Sequence, residues 1–583
     1  MTINVLNISL FEIEGDFNVV TFNDYQYARP DLDDMKLDFD ELLAKFDAAS
    51  SVEEQSEVIE QINTLQRRFS TAVNLCYIRA SIDTNDEFYK QERDYIDEIS
   101  PKYEDFVTDY YKALTTSKFR EQLEAKWGQQ LFDLADYQIK GFSKDIIELM
   151  QKQNKLTSEY MQLVASAQIE FKGETYTLAQ LGPFAEDSDR QVREDAQKAR
   201  FGFYASHEAQ FDRIYDDLVK VRHEMATTMG YKNYVELGYV LMNRIDYNAD
   251  MVKKYRDQIR DVVVPYATEL RERQAKRIGV EKLKFHDESY AFQTGNAVPK
   301  GDADWIVENG KQMYSELSKE TNEFFNYMID HNLMDLVAKK GKEGGGYCTF
   351  IDDYNSPYIF SNFNGTSGDI DVLTHEAGHA FQVYSSRNIG IPEYLWPTFE
   401  SCEIHSMSME FFTWPWMELF FKEDVEKYKF SHLSEGLLFL PYGVAVDEFQ
   451  HVVYENPEMT PAERKAAWKE IEGIYLPHRD YDGFEYLEGG GFWQRQQHIY
   501  NSPFYYIDYT LAQVCAFQFW KRDREDHADA WKDYIRLCRQ GGSKSFTKLV
   551  AEANLVSPFE DGCLENVLEA IRAYLDNVDD AAL

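Results

Sequence analysis

Residues 371–382 read DVLTHEAGHAFQ, with two histidines four positions apart and a glutamate directly after the first. On a helix, positions i and i+4 share a face. His375 and His379 can therefore offer two imidazole nitrogens to one divalent ion at about 2.0–2.1 Å. Glu376 stands one residue round from the first histidine, so it leans toward the ion without binding it. A carboxylate in that place can hold a water and take its proton. Ala377 and Gly378 are small, and Val372, Leu373, Ala380 and Phe381 are apolar, which suits a buried helix under a cleft. A glycine costs a helix about 1 kcal/mol relative to alanine, and close packing would explain its presence at 378. HEMAT at 223–227 is an internal control. It keeps the His-Glu pair but has Thr227 in place of the second histidine, so it reads as surface helix.

A catalytic zinc takes three protein ligands and keeps one position open for water. HRD at 478–480 is remote and isolated. The stretch PTFESCEIHSMSMEFFTWPWMELF (397–420) is the stronger source. It reads as a helix rich in Met and Phe, where a buried carboxylate such as Glu403 wants a cation. Glu400 and Glu410 compete with it, and Cys402 is a soft ligand beside them. Further on, GGGFWQRQQHIYNSPFYYIDYTLAQ (489–513) joins a glycine loop to His498 and a cluster of tyrosines. Tyr505 and Tyr506 precede Tyr509 by four and three positions, so either can share its face on a helix. Phenols titrate near 10 and stay protonated at neutral pH, as a donor to an oxyanion must.

These stretches resemble the thimet oligopeptidase and oligoendopeptidase F family of zinc metallopeptidases. EIHS at 403–406, with Glu410 seven residues after Glu403, is similar to the second metal helix of that family. Glu403 lies 24 residues after His379, against 21 for Glu400 and 31 for Glu410, and the family's spacing favours Glu403. The resemblance thus implies one Zn²⁺ per chain on His375, His379 and Glu403, with Glu410 orienting a ligand histidine. His405 is left as a core histidine. The resemblance also implies that His498 and Tyr509, with Tyr505 or Tyr506, reach the scissile peptide. The sequence departs from the thimet-type pattern in two places. Ser502 stands where those enzymes carry a further tyrosine, and the spacing from His498 to Tyr509 is one residue short.

What the resemblance implies is an endopeptidase with a closed, clam-like, mostly helical fold. A deep channel would admit short unfolded peptides and exclude folded proteins. Two alternatives need other features. A zinc aminopeptidase or carboxypeptidase needs a site for a peptide terminus, and a non-catalytic peptide-binding protein would have lost Glu376 or a ligand.

The elements that must position these residues are mainly helices. Only 30 Gly and 15 Pro in 583 residues favour long helices over a many-turned β architecture. LDDMKLDFDELLAKFDAAS (32–50) and the run from Ser51 to Ser81 carry apolar residues at three-and-four spacing. IEFKGETYTLAQLGPFAED (169–187) reads as a short hairpin or loop, and a new helix follows with Asp and Ser as cap candidates. We place a boundary near 190, giving an N-terminal helical domain (1–190) and a catalytic domain (191–583). KEGGGYCTFIDDYNSPYIFSNFNGTSGDIDV (342–372) supplies two β-prone runs and a turn before the metal helix. The expected class is mostly α with one small sheet beside that helix. SPYIFSNFNG (356–365), as an edge strand, would pair with an extended peptide.

Net charge is −41, from 61 basic and 102 acidic residues. Such a field repels phosphate backbones and anionic lipid heads, which excludes nucleic acid and a membrane surface as partners. Short peptides remain the expected partner, and nothing in the sequence fixes an oligomeric state. The six cysteines form no CxxC pair, which fits reduced thiols in the cytoplasm. The start, MTINVLNISLFEIEGDFN, lacks the basic and apolar regions of a signal peptide.

Overall fold

The structure, a computed structural model, describes residues 19–583. The signal-peptide reading concerns residues 1–18 and lies outside the described residues. Helices dominate. The first three long ones are α1 (Leu32–Ala48), α2 (Val52–Ile82) and α3 (Glu87–Thr115). Each opens on a side-chain cap that satisfies free backbone N–H groups. Asp31 accepts from Asp33 and Asp34, Ser51 from Glu54, and Asp86 from Phe88 and Tyr89. They pack around a core that includes Phe39, Phe46, Ile62, Tyr103 and Tyr110.

Residues 169–176 form an antiparallel hairpin, β1 (Ile169–Phe171) and β2 (Glu174–Tyr176). Lys172 and Gly173 both take positive φ (50° and 86°), as a tight two-residue turn requires. The described residues therefore hold two small sheets, where one was expected. The helix α4 (Arg190–Ser206) follows, capped by Asp189.

The second sheet contains β3 (Met334–Val337), β4 (Tyr347–Ile351) and β5 (Ser356–Phe363) in the order β3-β5-β4. β4 runs antiparallel to β5, with Tyr347 opposite Phe360 and Ile351 opposite Ser356. β3 pairs with β5 in parallel. This corrects the edge-strand reading of SPYIFSNFNG. MDLV, too short to read as a strand, covers the outer side of β5, so β5 is central and buried and β4 is the edge.

Four further helices carry the candidate site: α5 (Gly368–Ser386), α6 (Phe399–Phe412), α7 (Val425–Glu455) and α8 (Tyr506–Glu525). α5 is buried almost all round, as an apolar helix in the centre of a large core should be. Asp369 fixes the turn before it by accepting from the backbone N–H groups of Asn364 and Gly365, both at 2.8 Å. No helix among the described residues is long and apolar enough to cross a membrane.

Two anchors connect these elements to the cavity. The glycine loop 341–346 is held from α2, α3 and the turn between them: Arg93 pairs with Glu343, Ser81 Oγ donates to Glu343 (3.0 Å), and Thr84 Oγ1 donates to the Gly341 carbonyl (2.7 Å). The start of α8 is held by Arg244, whose guanidinium donates to Asp508 (3.0 Å) and to the Phe504 carbonyl. Phe504 sits at φ 67°, a costly conformation for an aromatic residue. Gln450 accepts its backbone N–H at 2.8 Å and helps to fix it.

Both side chains of the Arg244–Asp508 pair are fully buried. Asp508→Ala leaves the guanidinium charge unpaired and should cost about 3–5 kcal/mol. Thermal unfolding should show a clearly lowered midpoint, and a midpoint equal to wild type would disprove the anchoring role.

Candidate active site

α5 and α6 cross with their backbones in contact at Gly378. A Cβ on residue 378 would stand 2.6 Å from Ser406 Cα and 2.7 Å from the His405 carbonyl oxygen. Only glycine allows that approach, which accounts for its place in a helix interior. The crossing brings Glu403 of α6 under the two histidines of α5. Glu403 Oε2 lies 3.1 Å from His375 Nε2 and 3.3 Å from His379 Nε2. The three ligand atoms lie within 4.8 Å of one another. Glu400 and Glu410 point elsewhere: Glu400 accepts from Thr398 Oγ1 at 2.9 Å, and Glu410 contacts His375 on the opposite side of its ring.

Proton positions test whether a cation fits here. His375 Nδ1 is 2.7 Å from Glu410 Oε1. An ionised carboxylate only accepts, so Nδ1 carries the hydrogen and Nε2 of the neutral ring presents a lone pair. That lone pair faces the lone pairs of Glu403. Acceptors brought this close need a proton or a cation between them, and two imidazoles with one carboxylate suit zinc. Burial opposes ionisation of Glu403, but positive charge at the His379 and His375 rings, carried by a proton or by a cation held there, outweighs it and holds its carboxyl well below the usual range. Ser406 Oγ donates to Glu403 Oε2 (2.9 Å), and the Tyr505 hydroxyl donates to Oε1.

Glu376 projects into the cavity beside this group. Its Oε2 is buried and has no hydrogen-bond partner among the described residues, and burial raises its pKa. A Cβ at Gly346 would stand 3.1 Å from Glu376 Oε1, so the glycine loop runs directly over this carboxylate.

The tyrosine cluster separates into three environments. Tyr509 and His498 form a pair, with His498 Nε2 at 3.2 Å from the phenol oxygen. The Tyr442 hydroxyl donates to Gln496 Oε1 (2.9 Å), which turns the Gln496 amide nitrogen to His498 Nδ1 at 2.8 Å. Nδ1 therefore accepts and Nε2–H donates to Tyr509, so the Tyr509 hydrogen is not spent on His498. Burial lowers the His498 pKa to about 4, so the ring is neutral at neutral pH. Tyr505 is instead engaged with Glu403 and stacks on Tyr509, with ring centroids 5.0 Å apart. Tyr506 lies outside the cavity lining and packs on Phe439 and Tyr442.

These groups line a cavity of about 810 Å³. Tyr77 of α2, Arg93 and Tyr111 of α3, and the outer edge of β4 complete its walls. The remaining sequence candidates stand apart. His405 is buried, its Nδ1 on the Ser401 carbonyl at 2.7 Å. Cys402 donates to the Pro397 carbonyl. His478 lies beside Glu288, and in HEMAT Thr227 bonds back to the His223 carbonyl. Sequence reasoning missed Gln496 and Tyr442, which set the His498 tautomer, and His432, which lies 2.8 Å from Glu410 Oε2. No spacing rule links them to the motif; the fold alone brings them near.

Comparisons with known proteins agree with this geometry. A model described as the peptidase M3 N-terminal domain matches residues 22–142, and one described as peptidase family M3 matches residues 184–568. The structure of PZ peptidase A with an inhibitor is 64% identical, with a TM-score of 0.96, over 96% of this chain and 100% of that one. A protein provisionally named oligoendopeptidase F from Bacillus anthracis str. Ames is 58% identical, with a TM-score of 0.92, over 97% of this chain and 100% of that one. An oligoendopeptidase F homolog from Borreliella burgdorferi is 25% identical over 386 residues, 64% of this chain and 62% of that relative, so the match spans less than two thirds of its length. Fold and site together define a metallopeptidase. The chain belongs to peptidase family M3, with relatives that carry the oligoendopeptidase F name.

Gly378→Ala tests the crossing. Alanine gains about 1 kcal/mol of helix propensity, but its methyl would overlap backbone that cannot yield, and overpacking costs about 1–3 kcal/mol. Net destabilisation in thermal unfolding is the expected result, and a stabilised variant would show that the helices are not held in contact.

Proposed function

We propose that this protein is a zinc-dependent oligopeptidase that hydrolyses internal bonds of short, unfolded peptides. One observation carries the reading: the nitrogen lone pair of His375, His379 Nε2 and Glu403 Oε2 converge on one point, with the unpartnered Glu376 carboxylate beside them. His375, His379 and Glu403 would hold one Zn²⁺. When bound, zinc supplies a Lewis acid that polarises a carbonyl and acidifies water.

The remaining chemistry belongs to the chain. Glu376 takes a proton from the attacking water and returns it to the leaving amine, as general base and then general acid. Tyr509, its hydrogen left free by His498, donates to the oxygen on which negative charge develops. Tyr505 acts through Glu403, holding the carboxylate that completes the metal site. Tyr506 acts as packing. The edge strand β4, in place of SPYIFSNFNG, offers its backbone to an extended substrate. Enclosure of the cavity excludes folded proteins. The division into a helical domain (1–190) and a catalytic domain (191–583), and a cytoplasmic location for six unpaired thiols, are parts of the same reading.

Glu376→Gln should retain one zinc per chain and lose at least about a hundredfold in kcat, the lower end for removal of a general base. His375→Ala should lose the metal, read by elemental analysis. A Glu376→Gln variant with wild-type turnover would refute the base assignment.

Peptides blocked at both ends should be cut internally, and a chelator should stop the cutting, as mass spectrometry of the digest would show. Intact blocked peptides with trimmed free ones would identify an exopeptidase. Tight metal with no cleavage of either would identify a binding protein.

A further inference from the structure

Beyond Glu410, the hydrogen bonds continue. Glu410 Oε2 is 2.8 Å from His432 Nε2, and Trp414 Nε1 is 3.1 Å from His432 Nδ1. The indole N–H can only donate. His432 Nδ1 therefore accepts, the single ring hydrogen sits on Nε2, and Nε2–H donates to Glu410. Glu410 Oε1 in turn accepts from His375 Nδ1. We infer that Trp414 and His432 are positioning residues for the metal site: through Glu410 they fix the tautomer and orientation of His375. The chain runs in one direction, each N–H aimed at the next acceptor, and it ends at the Nε2 lone pair that faces Glu403.

The surroundings hold this chain in a single arrangement. The His432 ring is enclosed by Phe411, Trp414 and Tyr428, with ring centroids at 4.9, 5.8 and 5.5 Å. Asp371 is the alternative acceptor for His432, but its Oδ1 lies 4.0 Å from Nε2 and already accepts from the Tyr428 hydroxyl at 2.7 Å. Burial opposes a charge on His432, while Glu410 and Asp371 favour one and raise its pKa. The indole N–H against Nδ1 nevertheless admits only one ring hydrogen here. If His432 were removed, Glu410 Oε2 would lose its only donor among the described residues, and the carboxylate would be free to turn away from His375.

The inference rests on the zinc reading of the site. Its test is zinc affinity, measured by competition with a chromophoric chelator on the full chain, with thermal unfolding of the metal-free protein as a folding control. Outer partners of metal-bound histidines typically affect metal affinity by about 10–100-fold. His432→Leu should weaken zinc binding by about that factor, and His432→Gln, which keeps an N–H donor at this place, should stay within about threefold of wild type. Trp414→Phe, which frees His432 to switch tautomer, should weaken binding in the same sense. Wild-type zinc affinity in folded His432→Leu, or in Trp414→Phe should His432→Leu not fold, would overturn the inference while leaving the zinc site intact. A wild-type chain that binds no zinc would instead overturn the reading beneath it.

Discussion

The contact of α5 with α6 at Gly378 is the constraint on which the site depends. Helices packed through ordinary side chains stand about 8–10 Å apart. At that spacing a glutamate on one helix reaches its neighbour's far face only by extending into solvent. Here the backbones touch, and Glu403 stays short, buried and fixed beneath His375 and His379. The same contact buries Glu403 in a place where an isolated carboxylate would be expensive. Two imidazoles, a serine and a tyrosine surround it instead, and the acceptors left facing one another form a site that wants a cation. If the site binds metal as proposed, metal binding and helix packing are one problem, solved by the absence of a single methyl group.

A second regularity is that proton positions are set by the hydrogen-bond partners of each ring. Trp414 sets His432, and Glu410 sets His375. On the other wall, Tyr442 and Gln496 set His498, which then donates to Tyr509 and does not take its hydrogen. Under the proposed mechanism, the two chains end at the two places where a peptide carbonyl needs help: a lone pair toward the ion and a phenol O–H toward the oxyanion. His498 remains neutral because burial outweighs the pull of the Glu403 carboxylate.

How much of this was legible depends on the kind of contact. HEAGH was readable because both histidines and the glutamate belong to one helix, whose period fixes their faces. Glu403 needed the family pattern, since three carboxylates in one helix are chemically alike until a neighbouring helix chooses among them. Tyr505 shows the limit of periodicity. Its place on the face of Tyr509 was readable, but the direction of its hydroxyl was set by Glu403, about a hundred residues earlier. Strand order was hidden for a similar reason. SPYIFSNF had the pattern of a strand, but whether it was edge or centre depended on MDLV, four residues with no strand signature of their own. His432 and Trp414 carried no signal, because a tautomer relay has no repeat.

The N-terminal helices belong to the same machinery. A loop with glycines at 344, 345 and 346 has little intrinsic order, yet it must pass over Glu376 within contact distance. Arg93, Ser81 and Thr84 hold it from α2, α3 and the turn between them, and Lys342, its ammonium buried among the carbonyls of Asp335, Val337 and Ser361, ties it to the sheet. The loop is thus fixed at one end by the N-terminal helices and at the other by β4. The cavity roof consequently cannot be described as a lid added to a finished catalytic half. Its position over Glu376 is determined jointly by both halves of the chain, and the cavity lies where they meet.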